Sequence, residues 1–259
     1  MRRTAGALVG RGILFSRLHK FMLGDEGIIV AFHRVDDRLP EDGLTRSSRV
    51  FERFCRFFKA NFDVIPLTDF VLRLERKESV AGKLVITFDD GYLDNYQVAA
   101  PILRKLDLPA TFYVVTQYIE SNVVPWWDAA LAKNPGWMTW DEVRFLALEG
   151  FEIGAHTRTH LDLGTVDGAV ADSEIAGSRQ DLVDAIGKPP DHFAYPYGQR
   201  KNLLDLNRQR VIDAGFRSCV SCHGGLVPLR TDPFHLERIP ISAWFRNPEQ
   251  FAFEVLTRR

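Results

Sequence analysis

The chain is poor in cysteine, with Cys55, Cys219 and Cys222 the only three among 259 residues. So few, and an odd number, exclude a disulfide framework and make a reducing compartment the simpler setting. No run of about 18 apolar residues exists, so no membrane-spanning helix is expected. Neither charge sign is in excess: 33 Lys and Arg face 34 Asp and Glu, for a net charge of −1. That balance excludes the basic surface on which general nucleic-acid binding depends. Internal repeats and low-complexity linkers are also missing, which predicts one globular domain. The hydrophobic fraction of 46% over this length is enough for a substantial core.

Against that background one stretch stands out. Lys83-Leu84-Val85-Ile86-Thr87-Phe88 is an apolar, β-branched run that leads directly into Asp89-Asp90-Gly91-Tyr92. A strand ending in acids and a turn places those acids at the carboxyl edge of a sheet, where parallel α/β folds build their sites. Taken alone, the pair could equally be solvated acids in an Asp-Asp-Gly turn. Two further strand ends carry similar chemistry. Phe151–Ala155 leads into His156-Thr157-Arg158-Thr159-His160, and Phe193-Ala194-Tyr195 leads into Pro196-Tyr197-Gly198.

Together these segments resemble the NodB-homology polysaccharide deacetylases, carbohydrate esterase family four. That family carries Thr-Phe-Asp-Asp-Gly, then His-(Ser/Thr)-x-x-His, then Arg-x-Pro-Tyr or a near relative. The first two match fully, and the third departs at Ala194, where many members have arginine. The likeness spans roughly residues 27 to 245. It implies a distorted, incomplete (β/α) barrel and a metal-dependent hydrolase that removes N-acetyl groups from an N-acetylhexosamine in a glycan or glycolipid.

The residue chemistry is consistent with this. Amide hydrolysis needs an activated water, a partner for the oxyanion and a proton for the leaving nitrogen. Two imidazoles and a carboxylate form a zinc-type donor set, here Asp90, His156 and His160. Zinc is the expected divalent ion, and cobalt, nickel or iron would also suit these donors. The resemblance makes Asp89 the base, Asp90 a ligand and the Tyr197 backbone N–H an oxyanion donor. With Ala194 lacking a guanidinium, Arg238 in the last strand is the candidate to orient Asp89. The proton donor is expected to be His33, at the carboxyl end of the first strand. Phe32-His33-Arg34-Val35 is similar to the early Tyr-His motif of deacetylases acting on bacterial surface poly-glucosamine. His235 precedes its strand and belongs at the opposite rim. Two other readings stay open, an amidohydrolase or deformylase of another small or lipid-linked amide, and a catalytically silent glycan-binding barrel.

Seven strands are predicted, over 27–32, 83–88, 110–115, 151–155, 192–195, 216–221 and 236–241. Helical patterns between them imply a parallel sheet. The predicted helices cover 50–61, 68–77, 94–106 with a kink at Pro101, 139–150 opened by a capping box, 166–186 and 202–214, and a last one capped by Asn247. Residues 1–24 read separately from the deacetylase-like domain over 25–259. Arg2, Arg3, Arg11, Arg17 and Lys20 alternate there with apolar residues, a poor secretory signal and a better basic amphipathic helix. It suits peripheral contact with an anionic membrane or packing on the barrel. The expected location is cytoplasmic, membrane-associated if this helix docks on lipid. Cys219-Val220-Ser221-Cys222-His223 matches a haem-attachment pattern in form, but it reads as a strand entering a turn. Of the tryptophans, Trp126 and Trp127 fall on a catalytic-side loop, and Trp244 is the best placed to wall an acetyl pocket.

Overall fold

A computed structural model of the chain describes residues 24–257. The amphipathic helix expected over 1–24 lies outside these residues, save for Gly24. Among the described residues, no helix is long and apolar enough to cross a membrane.

The fold is one curled sheet with most of its helices packed on its outer face. Its strands are β1 (Glu26–Phe32), β4 (Asp63–Val64), β5 (Lys83–Phe88), β6 (Thr111–Val114), β7 (Glu152–Ala155), β8 (His192–Ala194), β9 (Ser218–Val220), β10 (Val227–Pro228) and β11 (Ile239–Pro240). A separate short ladder joins β2 (Arg34–Val35) to β3 (Thr45–Arg46). The main order is β10-β1-β5-β6-β7-β8-β9, with β4 beside β5 and β11 beside β1. Every pairing in the main sheet is parallel except β10 against β1.

The strands are apolar on both faces, which is why they read as continuous runs rather than as alternation. Ile28, Val30, Phe32, Leu84, Ile86, Phe88 and Phe112 point outward into the main core. There they meet α1 (Ser48–Asn61), whose Phe51, Phe54 and Phe58 are fully buried. Removing each such ring from water is worth about 1.5–3 kcal/mol. Ile29, Val85, Tyr113, Ala194 and Val220 point the other way and form a second cluster inside the curl. Leu67, Phe70, Val71 and Leu74 of α2 (Leu67–Glu75) join that cluster. The first two free N–H groups of α2 are satisfied by Glu152 at the start of β7, whose oxygens lie 3.0 and 2.9 Å from the nitrogens of Leu67 and Thr68. Interior space is tight: a methyl on Gly154 would overlap the Tyr113 ring.

The two edges of the curl are laced by a single segment. Leu236 bridges Val220 of β9, and Ile239 and Pro240 then pair with Val30 and Ala31 of β1. The strand expected over 236–241 is therefore shorter than its pattern, because the chain changes partner halfway and Pro240 has no N–H to extend a ladder. The remaining helices are α3 (Ala100–Lys105), α4 (Trp140–Leu148), α5 (Gly168–Ile186), α6 (Asp205–Asp213) and α7 (Pro248–Thr257). The helix expected from 94 begins as a π-turn over Asn95–Ala99 before Pro101 enters α3. This is the adjustment a missing proline N–H imposes. The helix expected from 202 begins at Asp205. Asn202 instead caps a single 3₁₀ turn by accepting from the Gln199 N–H at 3.0 Å.

Candidate active site

A cavity of about 280 Å³ opens at the carboxyl end of the strands. Its lining includes His33, Asp89, Asp90, His156, His160 and Tyr197, so residues far apart in the chain meet there. Each follows the end of a strand: His33 and the two aspartates directly after β1 and β5, His156 directly after β7 with His160 on the loop beyond it, and Tyr197 shortly after β8.

In a regular strand the side chains of Asp89 and Asp90 would point to opposite faces. The backbone turns out of the pleat here: Asp90 has φ +77° and Gly91 φ +86°. Thr157, His160 and Tyr197 also have positive φ, at 64°, 60° and 62°. This region is costly for a residue with a Cβ, most of all for a branched one such as Thr157. Surrounding bonds hold it in place. Thr116 N–H donates to the Thr157 carbonyl at 3.2 Å, and Thr157 Oγ1 accepts from the His160 N–H at 3.0 Å. Glu174 of α5 accepts from the N–H groups of Arg158 and Thr159 at 3.0 and 2.9 Å.

Asp90, His156 and His160 are buried, with one donor atom each lying within 4.8 Å of the others. Asp90 Oδ1 is 3.4 Å from His156 Nε2 and 3.4 Å from His160 Nε2. Ligands about 2.1 Å from a shared ion at the tetrahedral angle lie about 3.4 Å apart. Asp90 Oδ1 accepts no hydrogen bond although it is fully buried. The His156 Nδ1 bonds the Ala194 carbonyl at 2.8 Å, which makes Nδ1 the N–H and turns Nε2 toward the carboxylate. Two imidazole edges and an orphaned carboxylate oxygen fit a divalent cation. Electrostatics point the same way. Burial pushes Asp90 up, but the imidazoles of His156 and His160 outweigh it and hold the carboxyl well below the usual range. Burial pushes His156 down, yet Asp89 and Asp90 raise it overall.

Asp89 has a different set of partners. Both its oxygens accept from Arg238, Oδ1 from Nη1 and Oδ2 from Nη2, at 2.7 Å each. Arg238 is fully buried, donates through Nε to the Ser221 carbonyl at 2.8 Å and through Nη1 to Thr87 Oγ1 at 2.9 Å, and lies 5.3 Å from the centre of the Tyr113 ring. The guanidinium comes from the segment that laces the two edges, and it gives Asp89 the cationic partner that Ala194 cannot. Burial raises Asp89, but Arg238 lowers it further, so the carboxyl stays ionised. His33 Nε2 is 3.9 Å from Asp89 Oδ2, and burial lowers its pKa.

Tyr197 follows Pro196, its ring is 4.9 Å from that of His160, and its N–H donates to no group among the described residues. His235 stands apart on the 3₁₀ turn Pro233–His235, beside Asp232. Trp244 corrects one expectation. It does not line the cavity; its indole N–H donates to Glu254 at 2.9 Å. Trp126 and Trp127 do line it. Cys219 is in the core and donates to the Phe234 carbonyl at 3.1 Å, whereas Cys222 faces the cavity, where burial raises its thiol to about 11. Glu174 carries no local motif. Its one signal is an acid among the core-facing positions Ala171, Ile175 and Ser178 of a helix.

The family described as polysaccharide deacetylase matches residues 76–218. The chain belongs to that family. YxkH of Bacillus subtilis (strain 168), whose name places it among the polysaccharide deacetylases, is 29% identical over 216 residues, covering 83% of this chain and 71% of YxkH. A chitin deacetylase of Pestalotiopsis is 28% identical over 124 residues, 46% of this family member and 35% of that protein. The Streptococcus pyogenes deacetylase PplD, solved with acetate, superposes with a TM-score of 0.74 at 23% identity, over 87% of this chain and 96% of PplD. At that identity PplD speaks to the fold alone.

Proposed function

We propose that this polysaccharide deacetylase family member hydrolyses the N-acetyl group of an N-acetylhexosamine in a glycan or glycolipid, assisted by a divalent ion. The observation that carries this reading is the pairing, in one cavity, of a cation-fitting Asp90-His156-His160 set with a carboxylate, Asp89, that Arg238 keeps out of that set. Zinc is the expected ion, since two imidazoles and a carboxylate form its common open site. In such a site the ion supplies Lewis-acid polarisation of the amide carbonyl and a lowered pKa for attacking water.

The chain's own groups supply the rest. Asp89, ionised and fixed by two hydrogen bonds, takes up the proton of the attacking water. The Tyr197 N–H, which no described group accepts from, is the donor assigned to the developing oxyanion. His33, sharing the cavity with Asp89, delivers a proton to the departing nitrogen. Trp126 and Trp127 give the mouth flat apolar faces suited to sugar rings. The chitin deacetylase among the relatives supports an N-acetylhexosamine as substrate.

The test is acetate release from N-acetylglucosamine oligomers and from a lipid-linked N-acetylhexosamine, with zinc or cobalt supplied. Wild type should release acetate and Asp89→Asn should not. Equal release by both, or none from any amide substrate, would reject the reading.

A further inference from the structure

The two histidines of the site are held differently. His156 gives its Nδ1–H to a backbone carbonyl, the usual means of fixing a ligand imidazole. His160 has no such bond: its Nδ1 is buried and has no partner. Aromatic faces surround the ring instead, with Trp127 at 4.7 Å and Tyr197 at 4.9 Å between centroids.

Trp127 is itself tied down. Its indole N–H donates to Tyr92 Oη at 2.9 Å, and Tyr92 Oη donates to Asp128 Oδ2 at 2.8 Å. Asp128 forms a buried ion pair with Arg34. Arg34 also lies 5.3 Å from the centre of the Tyr92 ring and donates to Thr45 Oγ1 at 2.9 Å and Asp42 Oδ2 at 3.3 Å. Burying an ion pair is expensive, and this one stabilises little by itself. What it does is fix geometry. Arg34 follows His33, Tyr92 follows the Asp89-Asp90 pair by two residues, and Trp127 precedes Asp128. The cluster thus joins the segment carrying the acid, the segment carrying the carboxylates and the wall that meets His160.

We propose that Trp127, hung through Tyr92 on the buried Arg34–Asp128 pair, is the positioning residue for His160, its ring contact replacing the hydrogen bond that fixes His156. This rests on the metal reading of the site. It makes Trp127 more than a cavity wall. A wall residue would alter substrate binding alone, whereas a positioning residue also alters the affinity of the protein for the ion.

The test is cobalt(II) titration of chelator-stripped protein, read by visible absorption in the absence of substrate. Loss of an outer partner of a metal ligand typically costs about 10–100-fold in affinity. Trp127→Ala should weaken cobalt binding within that range. Tyr92→Phe, which cuts both hydrogen bonds and leaves the ring stacked on Trp137 at 4.6 Å between centroids, should weaken it several-fold. Trp126→Ala, on the same loop without a ring contact to His160, should bind cobalt as wild type does. If Trp127→Ala fails to fold, Tyr92→Phe decides. Wild-type cobalt affinity in a folded Tyr92→Phe and Trp127→Ala would overturn the positioning role alone. No cobalt uptake by wild type would overturn the metal reading and this inference together.

Discussion

Arg238 and Asp89 face each other through two hydrogen bonds of 2.7 Å, and neither side chain reaches bulk water. The pair sets both the charge and the direction of the proposed base. Breaking one side of such a pair leaves the other charge buried alone, at about 3–5 kcal/mol. Arg238→Met should lower stability by that order, and kcat by about 10²-fold or more through misplacement of Asp89. The double variant Arg238→Met/Asp89→Asn should regain much of the stability but none of the activity. Denaturant titration of all four proteins checks this, and simple additivity of the two single losses would contradict it.

A cation bound at Asp90, His156 and His160 should stabilise the fold, because the unfolded chain offers no such constellation. At a free zinc concentration 100 times Kd the gain is about 2.7 kcal/mol. Thermal melts with and without zinc should show an upward shift for wild type and little or none for Asp90→Ala. A chelator should remove both the shift and acetate release.

His33→Ala should reduce kcat by about 10²–10⁴-fold, the usual share of a general acid, with KM nearly unchanged. The loss should shrink on an N-acetyl substrate whose amine leaves without protonation, such as an activated anilide. An equal loss on both substrates would move the proton donor elsewhere.

Asp94 offers a stability test away from the cavity. Its Oδ1 accepts from the Val35 N–H at 2.7 Å and from Asn95 Nδ2 at 2.9 Å, and Asn95 Nδ2 also holds the His33 carbonyl at 2.7 Å. Burial outweighs these bonds and raises the carboxyl from 3.8 to about 7. The folded chain therefore keeps a proton that the unfolded chain has released, and stability drains away as pH rises from about 4 to 7. Asp94→Asn carries no such charge. Its stability relative to wild type should climb over that interval, by up to about 4 kcal/mol at about 1.4 kcal/mol per pH unit, and level off above it. Denaturant midpoints at pH 4.5, 6 and 8 check this, and a constant difference would refute it.

The local parts of the site were legible in the sequence. Asp89, Asp90, His156, His160 and Tyr197 sit in short motifs at strand ends, and the strand-to-turn switch at each placed them at one rim. His33 could be proposed because its strand fixed which rim it occupied, and Arg238 because Ala194 leaves Asp89 in need of a cationic partner from elsewhere. Trp244 was misplaced because following a strand does not say which way a side chain turns, and Glu254 claims its indole. The ladders β2–β3, β4 and β10 escaped because two residues show no periodicity. The supports of the site are not local: Glu174 lies 15 and 16 residues from the N–H groups it holds under the histidine loop, and Asp128 lies 36 and 94 residues from Tyr92 and Arg34. No short motif contains both partners.

The family match stops at residue 218, short of the strap that stitches β9 to β1. That strap brings in the guanidinium, and the first strand, upstream of residue 76, brings in His33. A fragment trimmed to the matched region would still own every cation-facing side chain and the tyrosine N–H. It would lack the means to aim its base, to protonate an amine or to keep its curl shut. The residues of the cation set thus lie in the middle of the chain, while those proposed to aim the base and to supply the proton lie in its two flanks.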